Sequence, residues 1–136
     1  MKIRMTLMLL LSMLLVAFSW IMNFGWYRLF GTITLIPFVH AVIVYAVFIV
    51  AVNYVDCKKI RLQNNLFLIT YLMSNILLSD VNEVDSIMFF GLIHNEILCN
   101  IGNIIAVISL IIHIILIILQ FVEIRRIDKD RENACF

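Results

Sequence analysis

The chain has 136 residues, of which 64% are hydrophobic and 14% charged, and its mean hydropathy is +1.08. Soluble domains run about 45–50% apolar and about 25% charged, so a soluble fold of this size would lack the polar residues to cover its own surface. A net charge of +1 gives no reason to expect a nucleic-acid partner, and the composition places the chain in the membrane class.

Four apolar segments follow one another, at 5–22, 29–52, 62–79 and 101–122. A helix needs roughly 20 apolar residues to cross a hydrocarbon core of about 30 Å. The first segment follows Lys2 and Arg4. Its basic start and the small residues Ala17 and Ser19 also fit a cleaved signal peptide, but the apolar run continues through Trp20, Ile21 and Met22, which favours a retained span. The second segment contains Pro37, which predicts a kink or local loosening. Trp20, Trp26 and Tyr27 gather near the outer ends of these two segments as an interfacial aromatic belt, with Tyr54 at the opposite surface.

The third segment is the weakest, because its uninterrupted apolar part begins only at Leu66 and it holds Thr70, Ser74 and Asn75. The charges decide in its favour. Lys2 and Arg4, then Lys58, Lys59 and Arg61, then Arg125, Arg126, Lys129 and Arg131 make up nine of the ten basic residues. If all four segments cross, these nine share one side and both termini are cytoplasmic. The other side holds Arg28 and the acidic Asp80, Glu83, Asp85 and Glu96. Asp56 and Cys57 beside the lysines read as a solvated helix end whose basic residues attract anionic lipid head groups.

The outer connection, 80–100, ends in SIMFFGLIHNEILCN, which reads as a short helix lying in the interface or, less simply, as a re-entrant segment. In the fourth segment Gly102, Ala106, Ser109, His113 and Gln120 recur at intervals of four, three, four and seven, a stripe with a period near 3.5. Small residues let helices approach closely in a membrane, and polar ones bond across the contact. His113 therefore points into the bundle. His40 lies 11 residues after Leu29 and His113 lies 11 after Gly102. Both segments run inward, so both rings sit about 16 Å below the outer face.

An intramembrane ionisable residue is a functional hypothesis in its own right. The candidate intramembrane site comprises His40, His113, Ser109, Asn75 and Asn103. A histidine pair could relay a proton or hold a metal or polar ligand; the plainer reading is that each ring bonds a carbonyl or hydroxyl and ties helices together. His94 and Glu96 form a candidate outer-loop site, but they are two apart, share no helix face and match no hydrolase or metal motif. Cys57, Cys99 and Cys135 are scattered, with no CxxC or Cys/His spacing, so neither a disulfide framework nor a zinc site is expected. No nucleophile motif, HExxH or phosphate loop appears, so the chain leans away from enzymes, and no cofactor is implied.

The size and four-helix layout resemble small multidrug-resistance transporters, yet the first segment lacks the acidic residue those proteins embed there. The layout is also similar to four-helix immunity proteins against pore-forming bacteriocins, without a matching motif. The expectation is an all-α membrane protein: one domain, 1–136, forming a four-transmembrane-helix bundle with a charged cytoplasmic tail at 123–136. Its expected function is that of an accessory, modulator or immunity-type protein packing against another membrane protein. The alternatives are a small oligomeric transporter or channel using His40 and His113, and a membrane enzyme using the outer loop. Expected partners are the bilayer and another membrane protein or further copies of itself. The Ile- and Met-rich composition and the lack of glycosylation sequons point to a bacterial cytoplasmic membrane.

Overall fold

The computed structural model describes residues 2–134 except 24, 55, 82–85 and 91. The chain is predominantly helical, in the order α1 (Lys2–Met22), α2 (Trp26–Ile33), α3 (Ile36–Val52), α4 (Lys58–Ile76), β1 (Asp80–Val81), β2 (Ser86–Ile87) and α5 (Glu96–Ala134). Two of these helices, α1 and α5, are long and apolar enough to cross a membrane, and α3 is a shorter apolar helix.

The second predicted segment is two helices. Pro37 stands in the first turn of α3, where its missing N–H would have no partner anyway. Inside a continuous helix it would remove a hydrogen bond and clash with the carbonyl four residues back. The chain instead stops at Thr34, whose N–H reaches Phe30 O at 3.0 Å, and turns through Leu35 in the left-handed region at φ 58°. That conformation costs roughly 1–2 kcal/mol for a residue with a Cβ. The proline starts a helix here; it does not kink one.

The outer connection is likewise different from expectation. β1 and β2 pair antiparallel, Met88 bridges Ile93, and Phe89 and Phe90 both adopt positive φ. That turn occupies the stretch expected to lie as an interfacial helix, because two consecutive left-handed residues cannot continue a right-handed one. Glu83 and Asp85, and Cys135 near the terminus, lie outside the described residues. Asn95 then starts α5: its Oδ1 accepts the Leu98 N–H at 3.1 Å, and Glu96 sits in the first turn, where a side-chain cap and negative charge both favour a helix N-terminus. The helix continues through Ala134 for 39 residues, about 58 Å and nearly twice the thickness of a hydrocarbon core. The segment expected to be a tail is therefore helix as far as Ala134.

α5 packs chiefly on α4. Cys99, Gly102, Ala106, Ser109, His113, Leu116, Gln120 and Ile124 are its buried positions, an extension of the predicted stripe at intervals of three and four. Polar pairs set the register: Asn103 with Ser79, His113 with Phe67 O, and Gln120 with Asn64. Their order shows that the two helices run antiparallel. Gly102 permits a close approach, since a Cβ there would collide with Met88 Sδ and stand 2.9 Å from Leu77 O. α1, α3 and α4 enclose the main core, around Leu9, Val44, Phe48, Phe67 and Tyr71. The outward surface is also apolar, with Ile104, Ile108, Ile111, Ile115 and Ile118 of α5 and Leu7, Leu11, Leu14 and Phe18 of α1 all exposed. At the far end, Tyr54 Oη donates to Asp128 at 2.9 Å and Lys59 pairs with Glu123.

Candidate functional site

Three helices bring the two histidines together. α3 carries His40, α4 carries Phe67, Thr70 and Tyr71, and α5 carries His113. The imidazole centroids are 5.4 Å apart with their planes at 89°. His113 lies over Phe67 at 4.3 Å and against Tyr71 at 5.7 Å, and His40 meets Tyr71 edge-on at 5.6 Å.

The hydrogen bonds assign the His113 tautomer. Its Nδ1 is 3.2 Å from Phe67 O and 3.3 Å from Thr70 Oγ1. A carbonyl only accepts, and the Thr70 hydroxyl donates to the Leu66 or Phe67 carbonyl at 3.0–3.1 Å. Nδ1 of the neutral ring therefore carries the hydrogen, and Nε2 presents a lone pair. Nε2 of both His113 and His40 is buried with no hydrogen-bond partner. No third His, Cys, Asp or Glu joins them in a cluster fit for a metal, among the described residues. Two imidazole nitrogens are left open in the interior of the protein.

They adjoin a cavity of about 790 Å³ between α1 and α3, floored by α4. Its walls are apolar, from Leu10, Met13, Leu14 and Ala17 to Phe38 and Ala41, and its polar lining is Thr32, His40, Tyr71 and Asn75, with Trp20 at the edge. Exposed Leu14, Ile21 and Phe38 form the rim, so the cavity opens sideways onto apolar surface. His113 does not line it but touches His40 and Tyr71, which do. Asn75 is anchored, its Nδ2 donating to Tyr71 O at 2.9 Å and its Oδ1 accepting from Trp20 Nε1 at 3.4 Å.

The structure thus gathers three of the five predicted intramembrane residues, His40, His113 and Asn75, around one cavity. Asn103 belongs elsewhere: its Oδ1 accepts the Ser79 N–H at 2.8 Å and its Nδ2 donates to Ser79 Oγ at 2.7 Å. Ser109 is buried on the α5 stripe away from the cavity lining. His94 and Glu96 are both exposed, on either side of the α5 cap. Cys57 and Cys99 are free thiols, and burial raises the Cys99 pKa, which keeps that thiol protonated and unreactive.

Two buried polar groups escaped the sequence reading. Arg28 and Asp80 are 1% and 0% exposed. Arg28 donates to Ser19 O at the end of α1, and to Asn75 O at 3.1 Å and Leu78 O at 2.7 Å around the end of α4. Asp80 Oδ2 accepts the N–H groups of Gly25 and Arg28 at 3.1 and 2.9 Å. The cation therefore closes two helix C-termini, and the anion closes the N-terminus of α2, each where the helix dipole favours its charge. Arg28 also lies over Trp20 at 5.3 Å. Arg28 was the one basic residue that broke the charge pattern, which is the signal that could have found it. The second is the partner of Gln120, a residue of the predicted stripe: Gln120 Nε2 donates to Asn64 Oδ1 at 2.8 Å, while Gln120 Oε1, Asn64 Nδ2 and Gln63 Oε1 are buried without hydrogen bonds.

Comparison with known proteins adds no identity: no family model matches the chain, and no curated protein or solved structure matches it either.

Proposed function

We propose that this chain is a small multi-pass membrane protein that binds an apolar molecule bearing one polar group, taken up sideways from the bilayer and held against His40. The observation that carries the reading is the unpartnered, buried Nε2 of His40 on the wall of an apolar cavity, with a second open imidazole, His113, directly beside it. A buried polar atom without a partner costs roughly 1–3 kcal/mol, and a ligand hydroxyl or carbonyl would recover it. Pockets of about 300–1,000 Å³ with apolar walls and a few convergent polar groups suit small molecules.

In this reading the segments 5–22, 29–52, 62–79 and 101–122 all cross the membrane, the termini are cytoplasmic, and the membrane is a bacterial inner one. Two features support the arrangement. The 19 residues of α4 measure about 28 Å, of which the part after Arg61 is about 22 Å, most of a hydrocarbon thickness. The basic clusters also gather at one end of the bundle, where Arg4 and Arg61 line the same groove and Lys59 meets Glu123, as the positive-inside rule requires. An accessory or immunity-type role would call for a different face from the α5 stripe, because α4 covers that stripe within the chain.

The test is to purify the protein from its native membrane in mild detergent and identify what organic solvent extracts from it. A near-stoichiometric apolar molecule in wild type, lost from His40→Leu and from the cavity-filling Ala17→Phe, is expected. Absence of any such molecule, together with no thermal shift on adding a long-chain phenol, would sink the reading.

A further inference from the structure

A second groove, of about 620 Å³, runs between α1 and α4 on another face of the bundle. Arg4, Arg61 and Asn65 stand at one end of it, and Leu11, Leu15 and Leu72 at the other. The two helices lie side by side in parallel, since both ends of the contact match in chain order: Arg4 with Arg61, Trp20 with Asn75. Polarity is therefore graded along the groove. No acidic residue lines it, among the described residues.

We infer that this groove is a binding site for one anionic phospholipid, its phosphate between Arg4 and Arg61 and one acyl chain along the apolar part. The inference rests on the membrane reading above, but not on the histidine site. The dimensions agree: 11 residues of helix from Arg4 to Leu15 measure about 16 Å, the depth of a single leaflet's hydrocarbon. The arginines belong to the basic end of the bundle, so the headgroup would lie at the cytoplasmic surface. Guanidinium groups suit a phosphate because they offer paired donors in a fixed fork. A lysine-rich surface attracts anionic lipid anywhere along it; here two arginines flank the mouth of a chain-length groove, which makes one lipid position distinct.

The test is native mass spectrometry of the full chain in detergent, titrated with phosphatidylglycerol and with phosphatidylcholine of identical chains. Wild type should retain phosphatidylglycerol with about thirtyfold preference, from two surface cations acting together. Arg4→Gln/Arg61→Gln should abolish the preference, and Ser12→Phe, which fills the groove floor, should reduce retention of both lipids. Soluble glycerol phosphate should fail to compete. Equal retention of the two lipids by wild type, a preference surviving in the arginine variant, or full competition by glycerol phosphate would each overturn the inference, the last by making it a free-anion site. Release of the protein from membranes by alkaline carbonate would instead defeat the membrane reading itself.

Discussion

The Arg28–Asp80 joint and the His40–His113 pair are both polar and both set inside the bundle, yet they are completed differently. The joint is nearly closed, with only Arg28 Nε lacking a hydrogen bond, 3.9 Å from Asp80 Oδ2. Its guanidinium reaches three backbone carbonyls and its carboxylate receives two backbone N–H groups, so the charges end helices as well as facing each other. The histidine pair is open, with one nitrogen on each ring unanswered beside a cavity. A buried network whose groups are mostly paired to backbone reads as structure, because little further can bind it without breaking it. An unsaturated one carries a free-energy deficit that only a relaxed structure or a ligand removes. The contrast predicts opposite responses to substitution.

The largest loss of stability should follow Asp80→Asn. It leaves Arg28 charged and buried without its counter-ion and weakens the cap on α2, and breaking a buried pair from one side typically costs about 3–5 kcal/mol. Thermal unfolding in detergent, or the yield of folded protein where unfolding is irreversible, measures it. Wild-type stability in Asp80→Asn would mean the joint is incidental. Gly102→Ala should come next, because its Cβ would meet Leu77 O at 2.9 Å and crowd Met88. Overpacking of this kind costs about 1–3 kcal/mol.

How much of this was legible follows from range along the chain. The α5 stripe was readable because period 3.5 is a local property of one helix, and burial at Ala106, Ser109, His113 and Gln120 bears it out. Counting rise along two segments placed His40 and His113 at one depth, even though 73 residues separate them, but depth alone does not say whether two rings meet. Where local signals conflict, reading failed. Apolar residues run unbroken through Thr34, Leu35 and Pro37, so hydropathy hid a helix end that backbone sterics impose. Charge after residue 122 suggested a tail, but charge does not end a helix, and α5 runs on to Ala134. Arg28 and Asp80 are 52 residues apart, one in the eight-residue α2 and one on the two-residue β1, elements too short to show a period, so nothing local announced their pairing.

The amide pair sharpens the comparison at smaller scale, since it is half-closed. Gln120→Leu alone should cost about 1 kcal/mol, because Asn64 then loses its bond to α5 and stays buried. Gln120→Leu with Asn64→Leu should be near neutral, because both orphaned atoms leave together. A double-mutant cycle in unfolding experiments reads the difference. Additive losses would show that neighbouring packing, not the hydrogen bond, sets the cost.

The smallest effect on stability should come from the site itself. His40→Leu removes an edge-on ring contact worth about 0.5–1.5 kcal/mol but also removes a buried nitrogen that has no partner and costs about as much. The two offset, so stability should change by less than about 1 kcal/mol in either direction. His113→Asn is the companion variant, keeping a donor that can face Phe67 O while deleting the second open nitrogen. If both variants fold like wild type and both lose the extracted molecule, the open nitrogens serve binding. If His40→Leu unfolds as readily as Asp80→Asn, the pair is a structural tie and the contrast between the two regions collapses. A variant that gains stability while losing its ligand would be the clearest result, because deficits kept for binding are the ones a protein becomes more stable without.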